Sequence, residues 1–114
     1  MIDDDAAVRH ALRFALETEG YDVLTHDSAA AFLAVPAPST RACLLIDQHM
    51  PGMSGLELAA ALRAGGSTLP IVLMTASPTA QLRQGALLTG VCEIVEKPLL
   101  GNALSKALAR LAGN

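Results

Sequence analysis

The spacing of apolar residues changes several times along the chain, and each change marks a new element. Across residues 6–19, Val8, Ala11, Leu12, Ala15 and Leu16 recur at i, i+3, i+4, i+7 and i+8. That is the stripe of an amphipathic helix, and Gly20 follows where a left-handed C-terminal residue is wanted. Residues 21–25 are few, aromatic and β-branched in part, and read as a strand. Ser28 can cap a helix carrying Phe32 and Leu33, which Pro36 and Pro38 stop. Residues 42–46 form an unbroken apolar run, the pattern of a strand buried on both faces of a parallel sheet, and the run ends abruptly in Asp47. Ser54 and Glu57 make an S-x-x-E capping box ahead of Leu58, Ala61 and Leu62, with Gly65 and Gly66 ending that helix. A second all-apolar strand covers residues 71–74 and ends at Thr75. A weaker helical stretch spans residues 79–88, interrupted by Gly85 and closed by Gly90. Residues 91–95 read as a strand running into Glu96 and Lys97. Beyond Pro98, the positions Leu100, Leu104, Ala107, Leu108 and Leu111 predict a last amphipathic helix.

Strands alternating with helices at this spacing require right-handed crossovers. They predict an α/β fold: one doubly wound parallel sheet of five strands, in the order 2-1-3-4-5 by chain order, with helices on both faces. The first of these strands is short, because only Met1 and Ile2 precede the acids Asp3, Asp4 and Asp5. A length of 114 residues suits a single domain. With 52% hydrophobic and 17% charged residues the chain can offset its ordering entropy by burial, which excludes a disordered segment. No apolar run approaches the roughly 18 residues of a membrane span, and no basic segment leads into an apolar one at the N-terminus, so a cytoplasmic location is expected. Cys43 and Cys92 lie inside apolar segments without metal-site spacing and read as small buried hydrophobes, unpaired in a reducing compartment.

Charge becomes informative once it is located. The chain has 8 basic and 11 acidic residues; setting aside Asp3, Asp4, Asp5 and Asp47 leaves a nearly neutral remainder. There is no basic stripe to grip a phosphate backbone, which argues against direct nucleic-acid binding. In a doubly wound sheet, ligands bind outside the carboxyl ends of the strands where the strand order reverses. Asp3, Asp4 and Asp5 follow the first predicted strand, Asp47 the third, Thr75 the fourth and Lys97 the fifth. Several acids at one edge repel one another unless a cation or proton compensates, and hard oxygen donors suit a Mg²⁺ ion that keeps several waters. Helix capping accounts for one or two aspartates, Asp5 above all, but not for four acids and a lysine at the same edge.

These residues resemble the receiver domain of two-component response regulators, and the likeness covers the whole chain, residues 1–114. It rests on the acid pair Asp3 and Asp4 ahead of a helix with Val8 and Arg9. It rests also on the segment Leu45-Ile46-Asp47-Gln48-His49-Met50-Pro51-Gly52-Met53-Ser54-Gly55, which carries D-x-x-M-P-x-x-x-G. Thr75 then lies 28 residues after Asp47, and Lys97, followed by Pro98, lies 22 after Thr75.

The resemblance implies a flavodoxin-like fold and a phosphorylation-dependent signalling module. Asp47 would take a phosphoryl group from a sensor histidine kinase or phosphotransfer protein. Asp4, Asp47 and the backbone carbonyl of His49 would hold Mg²⁺, with Asp3 acting through water. Lys97 would pair with the phosphoryl group, the Thr75 hydroxyl would hydrogen-bond to it, and Gly55 and Ala76 would contribute by being small. Such a domain is regulatory, catalysing only its own phosphorylation and dephosphorylation. Its output domain or partner would lie outside residues 1–114, and a homodimer is compatible with it. The Ala-Phe-Leu-Ala stretch at 31–34 and Leu-Pro-Ile-Val at 69–72 resemble regulators with a helix-turn-helix output.

Three positions depart from the family pattern: the stunted first strand, Ile94 where Tyr or Phe is usual, and Val91 where a small residue is usual. The first implies either missing upstream residues or a shortened strand. A stiff, β-branched Ile94 cannot swing as an aromatic ring does, so a non-switching, receiver-like interaction module is an alternative reading. A flavodoxin-like electron carrier would need a first loop that welcomes phosphate, which three aspartates repel. A haloacid-type phosphatase uses a D-x-D that Asp3 and Asp5 imitate, but such enzymes are usually longer.

Overall fold

The two continuous apolar runs form the centre of the sheet. The structure is a computed structural model that describes residues 1–36, 42–97 and 103–112. Among them α1 is Ala6–Thr18, α2 Ala29–Leu33, β1 Leu44–Asp47, α3 Gly55–Ala64, β2 Ile71–Thr75, α4 Ala80–Leu88, β3 Glu93–Glu96 and α5 Ala103–Ala112. The strands form a three-stranded parallel sheet in the order β1-β2-β3, with Leu45 opposite Val72 and Met74 opposite Val95. Every residue of β1 and β2 is buried. Alternate side chains go to opposite faces. Leu44, Ile46, Ile71 and Leu73 pack with Phe32, Leu58 and Leu82 of α2, α3 and α4. Leu45, Val72 and Met74 pack with Leu16, Leu104 and Leu108 of α1 and α5. Both faces are therefore covered, which is why these strands read as unbroken apolar runs. Among the described residues no helix is long and apolar enough to cross a membrane.

Among the described residues three of the expected five strands form, and residues 21–25 do not make one. Ile2 makes a single parallel bridge to His26 on one side and to Ile46 on the other. Ile2 N–H donates to the Leu45 carbonyl at 2.8 Å, Asp47 N–H to the Ile2 carbonyl at 2.8 Å, and Asp3 N–H to the His26 carbonyl at 3.1 Å. Residues 1–2 and 21–26 are joined by single bonds: the Met1 amino group donates to the Leu24 carbonyl at 2.9 Å and His26 N–H to the Met1 carbonyl at 2.9 Å. These few bonds nevertheless set Asp3 beside the end of β1.

Other expectations hold with adjusted limits. The capping box is complete: Glu57 N–H donates to Ser54 Oγ at 3.1 Å and Ser54 N–H to Glu57 Oε1 at 2.9 Å. Gly85 does not break α4; a Cβ there would lie 2.6 Å from Leu56 Cδ2, so its absence lets α4 pack on α3. The stripe of α1 is narrower than predicted, with Leu16 buried, Val8 and Leu12 half-buried, and Ala11 and Ala15 exposed. Cys43 is half-buried, and burial pushes its thiol up to about 11. Cys92 corrects the reading of two buried cysteines: it sits just before β3 and is exposed. Pro38, Pro98 and Leu100 lie outside the described residues.

Arg63, in the last turn of α3, had no signal in the periodicity. Its guanidinium donates to the carbonyls of Thr89, Ser67, Leu69 and Gly90 at 2.8–3.1 Å, fastening the loops that lead into β2 and β3. A lysine cannot present that planar fork. Arg63→Lys is expected to lower stability by about 2 kcal/mol, read as a shift of the urea midpoint at constant slope. Thiol titration of the unfolded, unreduced chain should find both cysteines free, and finding neither would contradict the sheet order, which puts β2 between their segments.

Candidate functional site

Three aspartates in a row acquire three different roles from their neighbours. Asp3 is held by the backbone bonds of Ile2 and is fully buried. Its Oδ1 accepts Asp5 N–H at 2.9 Å, and its carbonyl accepts Arg9 Nη1 at 2.8 Å. Asp4 is exposed. Asp5 caps α1, its Oδ1 accepting Ala7 N–H at 2.9 Å and Val8 N–H at 3.2 Å, as expected of a cap.

Asp47 ends β1 and is 4% exposed. Carboxylate oxygens of Asp3, Asp4 and Asp47 all lie within 4.8 Å of one another. Lys97, one residue past β3, brings its Nζ to 3.0 Å from Asp3 Oδ2 and 3.2 Å from Asp47 Oδ1. Its backbone N–H donates to the Thr75 carbonyl at 2.7 Å, so the end of β2 sets its position. Asp3, Asp4, Asp47 and Lys97 thus meet directly.

Thr75 ends β2 and is fully buried. Its Oγ1 accepts Ser77 N–H at 3.1 Å and lies 3.3 Å from Nε2 of His49. His49 is exposed, and its backbone N–H donates to Asp47 Oδ1 at 3.4 Å. Thr75 therefore joins the acids through His49. Ile94 is half-buried and packs against the cluster containing Leu82 and Ala86. His10 is exposed, and the half-buried His26 ring stands edge-on to Phe32 at 5.3 Å.

The loop after Asp47 is pinned at close range. A Cβ on Gly55 would lie 2.6 Å from the Asp47 carbonyl oxygen, so only glycine lets α3 start there without moving the strand end. Gln48, which no spacing rule singled out, donates its N–H to the Met74 carbonyl and accepts Leu56 N–H on Oε1, both at 2.8 Å.

Burial and the charge of Asp3 raise the Asp47 carboxyl above its usual 3.8, and the contacts from Lys97 and the His49 N–H do not fully oppose this. Burial acts to lower Lys97, but the bonds to Asp3 and Asp47 win and hold it above its usual 10.5. The two directions are consistent: one ammonium gains from two carboxylates, while each carboxylate shares it with a like charge. A hard divalent cation fits this donor set. Three carboxylates of mixed burial spread over a distance comparable to the ~4 Å width of an octahedral Mg²⁺ shell, and Asp4 is open to water.

A family model described as "Response regulator receiver domain" matches residues 1–109. The transcriptional regulatory protein FixJ of Azorhizobium caulinodans is 41% identical over 113 residues, covering 99% of this chain and 54% of that protein. The response regulator MprA of Mycobacterium avium is 38% identical over 112 residues, covering 97% of this chain and 47% of that one. The chain spans about half the length of these curated relatives. Among solved structures, FixJ-N superposes with a TM-score of 0.87 at 31% identity, covering 99% of this chain and 90% of that one. Full-length FixJ from B. japonicum gives 0.83 at 38%, covering 97% and 56%. The family match sets aside the electron-carrier and haloacid-type readings.

Because the folded Asp47 holds its proton more tightly than the unfolded chain does, metal-free stability falls as pH rises through the window just above 3.8. Asp47→Asn should therefore be more stable than wild type in metal-free buffer at neutral pH, with the gap closing below that window. Mg²⁺ should stabilise the wild type and leave the variant nearly unmoved. Thermal unfolding at several pH values, with and without chelator, reads all three effects.

Proposed function

As the chain belongs to the response regulator receiver domains, we propose that Asp47 is its phosphoacceptor, taking a phosphoryl group from a histidine kinase or phosphotransfer protein. The observation that carries this is the buried Asp47 carboxylate at a strand end, crowded by Asp3 and Asp4 and contacted by Lys97. An Asp47 oxygen attacks the phosphorus of a phosphohistidine; the P–O bond forms, the P–N bond breaks, and the leaving imidazole nitrogen recovers a proton from water. Asp4, Asp47 and the His49 carbonyl would hold Mg²⁺, with Asp3 behind them through water. The ion's contribution when bound is to neutralise charge between an anionic donor and a carboxylate.

Lys97 already stands 3.2 Å from Asp47, so its ammonium needs little movement to meet a phosphoryl oxygen there. The Thr75 hydroxyl supplies a donor to another oxygen. The protein regulates, and its only catalysis is its own phosphorylation and dephosphorylation. The expected sheet order 2-1-3-4-5 has support in the two bridges of Ile2, with residues 1–2 and 26 standing where the family's first two strands would run. The setting is the cytoplasm.

Incubation with Mg²⁺ and a small acyl phosphate, followed by intact mass, should show one added phosphoryl group. Chelator and Asp47→Asn should each abolish it, and Asp4→Asn should weaken Mg²⁺ binding and so raise the Mg²⁺ concentration required. A mass shift that survives Asp47→Asn would overturn the assignment.

A further inference from the structure

His49 touches two proposed participants at once. Its backbone N–H reaches Asp47 Oδ1 at 3.4 Å, and its Nε2 lies 3.3 Å from Thr75 Oγ1, so one residue spans from the end of β1 to the end of β2. The polarity of the second contact follows from counting. A threonine hydroxyl has one proton to give. Thr75 Oγ1 already accepts Ser77 N–H, and Thr75 is fully buried. Among the described residues, the acceptor within reach of that proton is Nε2 of His49. The reverse arrangement, with Nε2–H donating, would leave the proton of a buried hydroxyl unsatisfied, which is costly. In the resting protein the hydroxyl therefore donates to the ring.

A phosphoryl oxygen on Asp47 needs the same proton. Two acceptors then compete for one donor, and the phosphoryl oxygen is the stronger because it is charged. We infer that His49 is a positioning residue: its Nε2 holds the Thr75 hydroxyl in the resting state and is displaced when Asp47 carries a phosphoryl group, freeing the ring. This rests on the phosphoacceptor reading of Asp47. The ring is on an exposed residue, so nothing buried has to repack when it leaves. Ile94, in contrast, is packed against the core and has no polar atom with which to follow Thr75. The part that moves on phosphorylation is then the His49 ring at the mouth of the site.

The test uses the full chain in mildly alkaline buffer, with beryllofluoride and Mg²⁺ as the phosphoryl mimic. Nitrogen NMR of the His49 ring should show an unprotonated, hydrogen-bonded Nε2 that moves in Thr75→Val without any ligand. Saturation with beryllofluoride should move the wild-type ring toward its Thr75→Val position and move the ring of that variant far less. His49→Ala, which removes the competitor, should bind beryllofluoride about two- to tenfold tighter. His49→Gln, whose amide oxygen can accept the same proton, should restore wild-type affinity, and Thr75→Val should cancel the gain of His49→Ala.

Identical resting ring signals in wild type and Thr75→Val would overturn the hydrogen bond. An unmoved ring in the saturated wild type, or equal affinities for wild type and His49→Ala, would overturn the displacement. If the ring responds to Thr75→Val but the wild type takes up no beryllofluoride, the phosphoacceptor reading fails and the displacement falls with it.

Discussion

One ammonium shared between two buried carboxylates is the contact on which the rest of this molecule turns. Lys97 reaches Asp3 and Asp47 within 3.2 Å, and both acids are almost completely removed from water. Taking charges out of water is expensive, and one cation does not repay two anions, which is why Asp47 holds its proton too tightly while Lys97 is held charged. The fold tolerates this because β1 and β2 are buried along their whole length and supply the apolar contacts that anchor the strand ends. With Asp4 included, three carboxylates face one ammonium, and a divalent ion or a rearrangement around a phosphoryl group can act on that deficit.

The elements that carry the site are unequally secured. Asp47 and Thr75 end strands with continuous ladders, and the loop after Asp47 is pinned through Gly55 and Gln48. Asp3 and Asp4 follow Ile2, whose sheet contacts are two single bridges, and beyond it Leu24 is 78% exposed. Ile2 is nevertheless fully buried within the core, so packing as well as these bonds anchors Asp3. A cation held between Asp4 and Asp47 would add a link between the two segments.

A receiver domain transmits by changing which of two arrangements its surface prefers, and a bound group can bias that choice only through contacts that differ between them. Ile94 offers no such contact, being apolar and packed on the α4 side of the sheet. His49 and Thr75 offer one, because a single hydroxyl proton can serve only one acceptor at a time. Under the proposed role of Asp47, the difference between this chain and the family pattern would lie in which ring moves.

The sequence by itself determined the helix starts at Asp5, Ser28 and Ser54, because a cap is a bond between near neighbours. It determined β1 and β2 as well, since strands covered on both faces must be apolar throughout. Asp47, Thr75 and Lys97 were legible because strand ends place polar residues at one edge, and the family spacing named them. Tertiary structure alone decided that residues 21–25 form no strand and meet residues 1–2 through single bonds, since pairing depends on a distant partner. It alone brought Nε2 of His49 to Thr75, 26 residues away, set the four carbonyls around Arg63, and left Cys92 exposed. Periodicity reports which face of an element is apolar. It carries no information about which polar atoms of distant segments meet, because those distances are fixed only when the strands and helices pack.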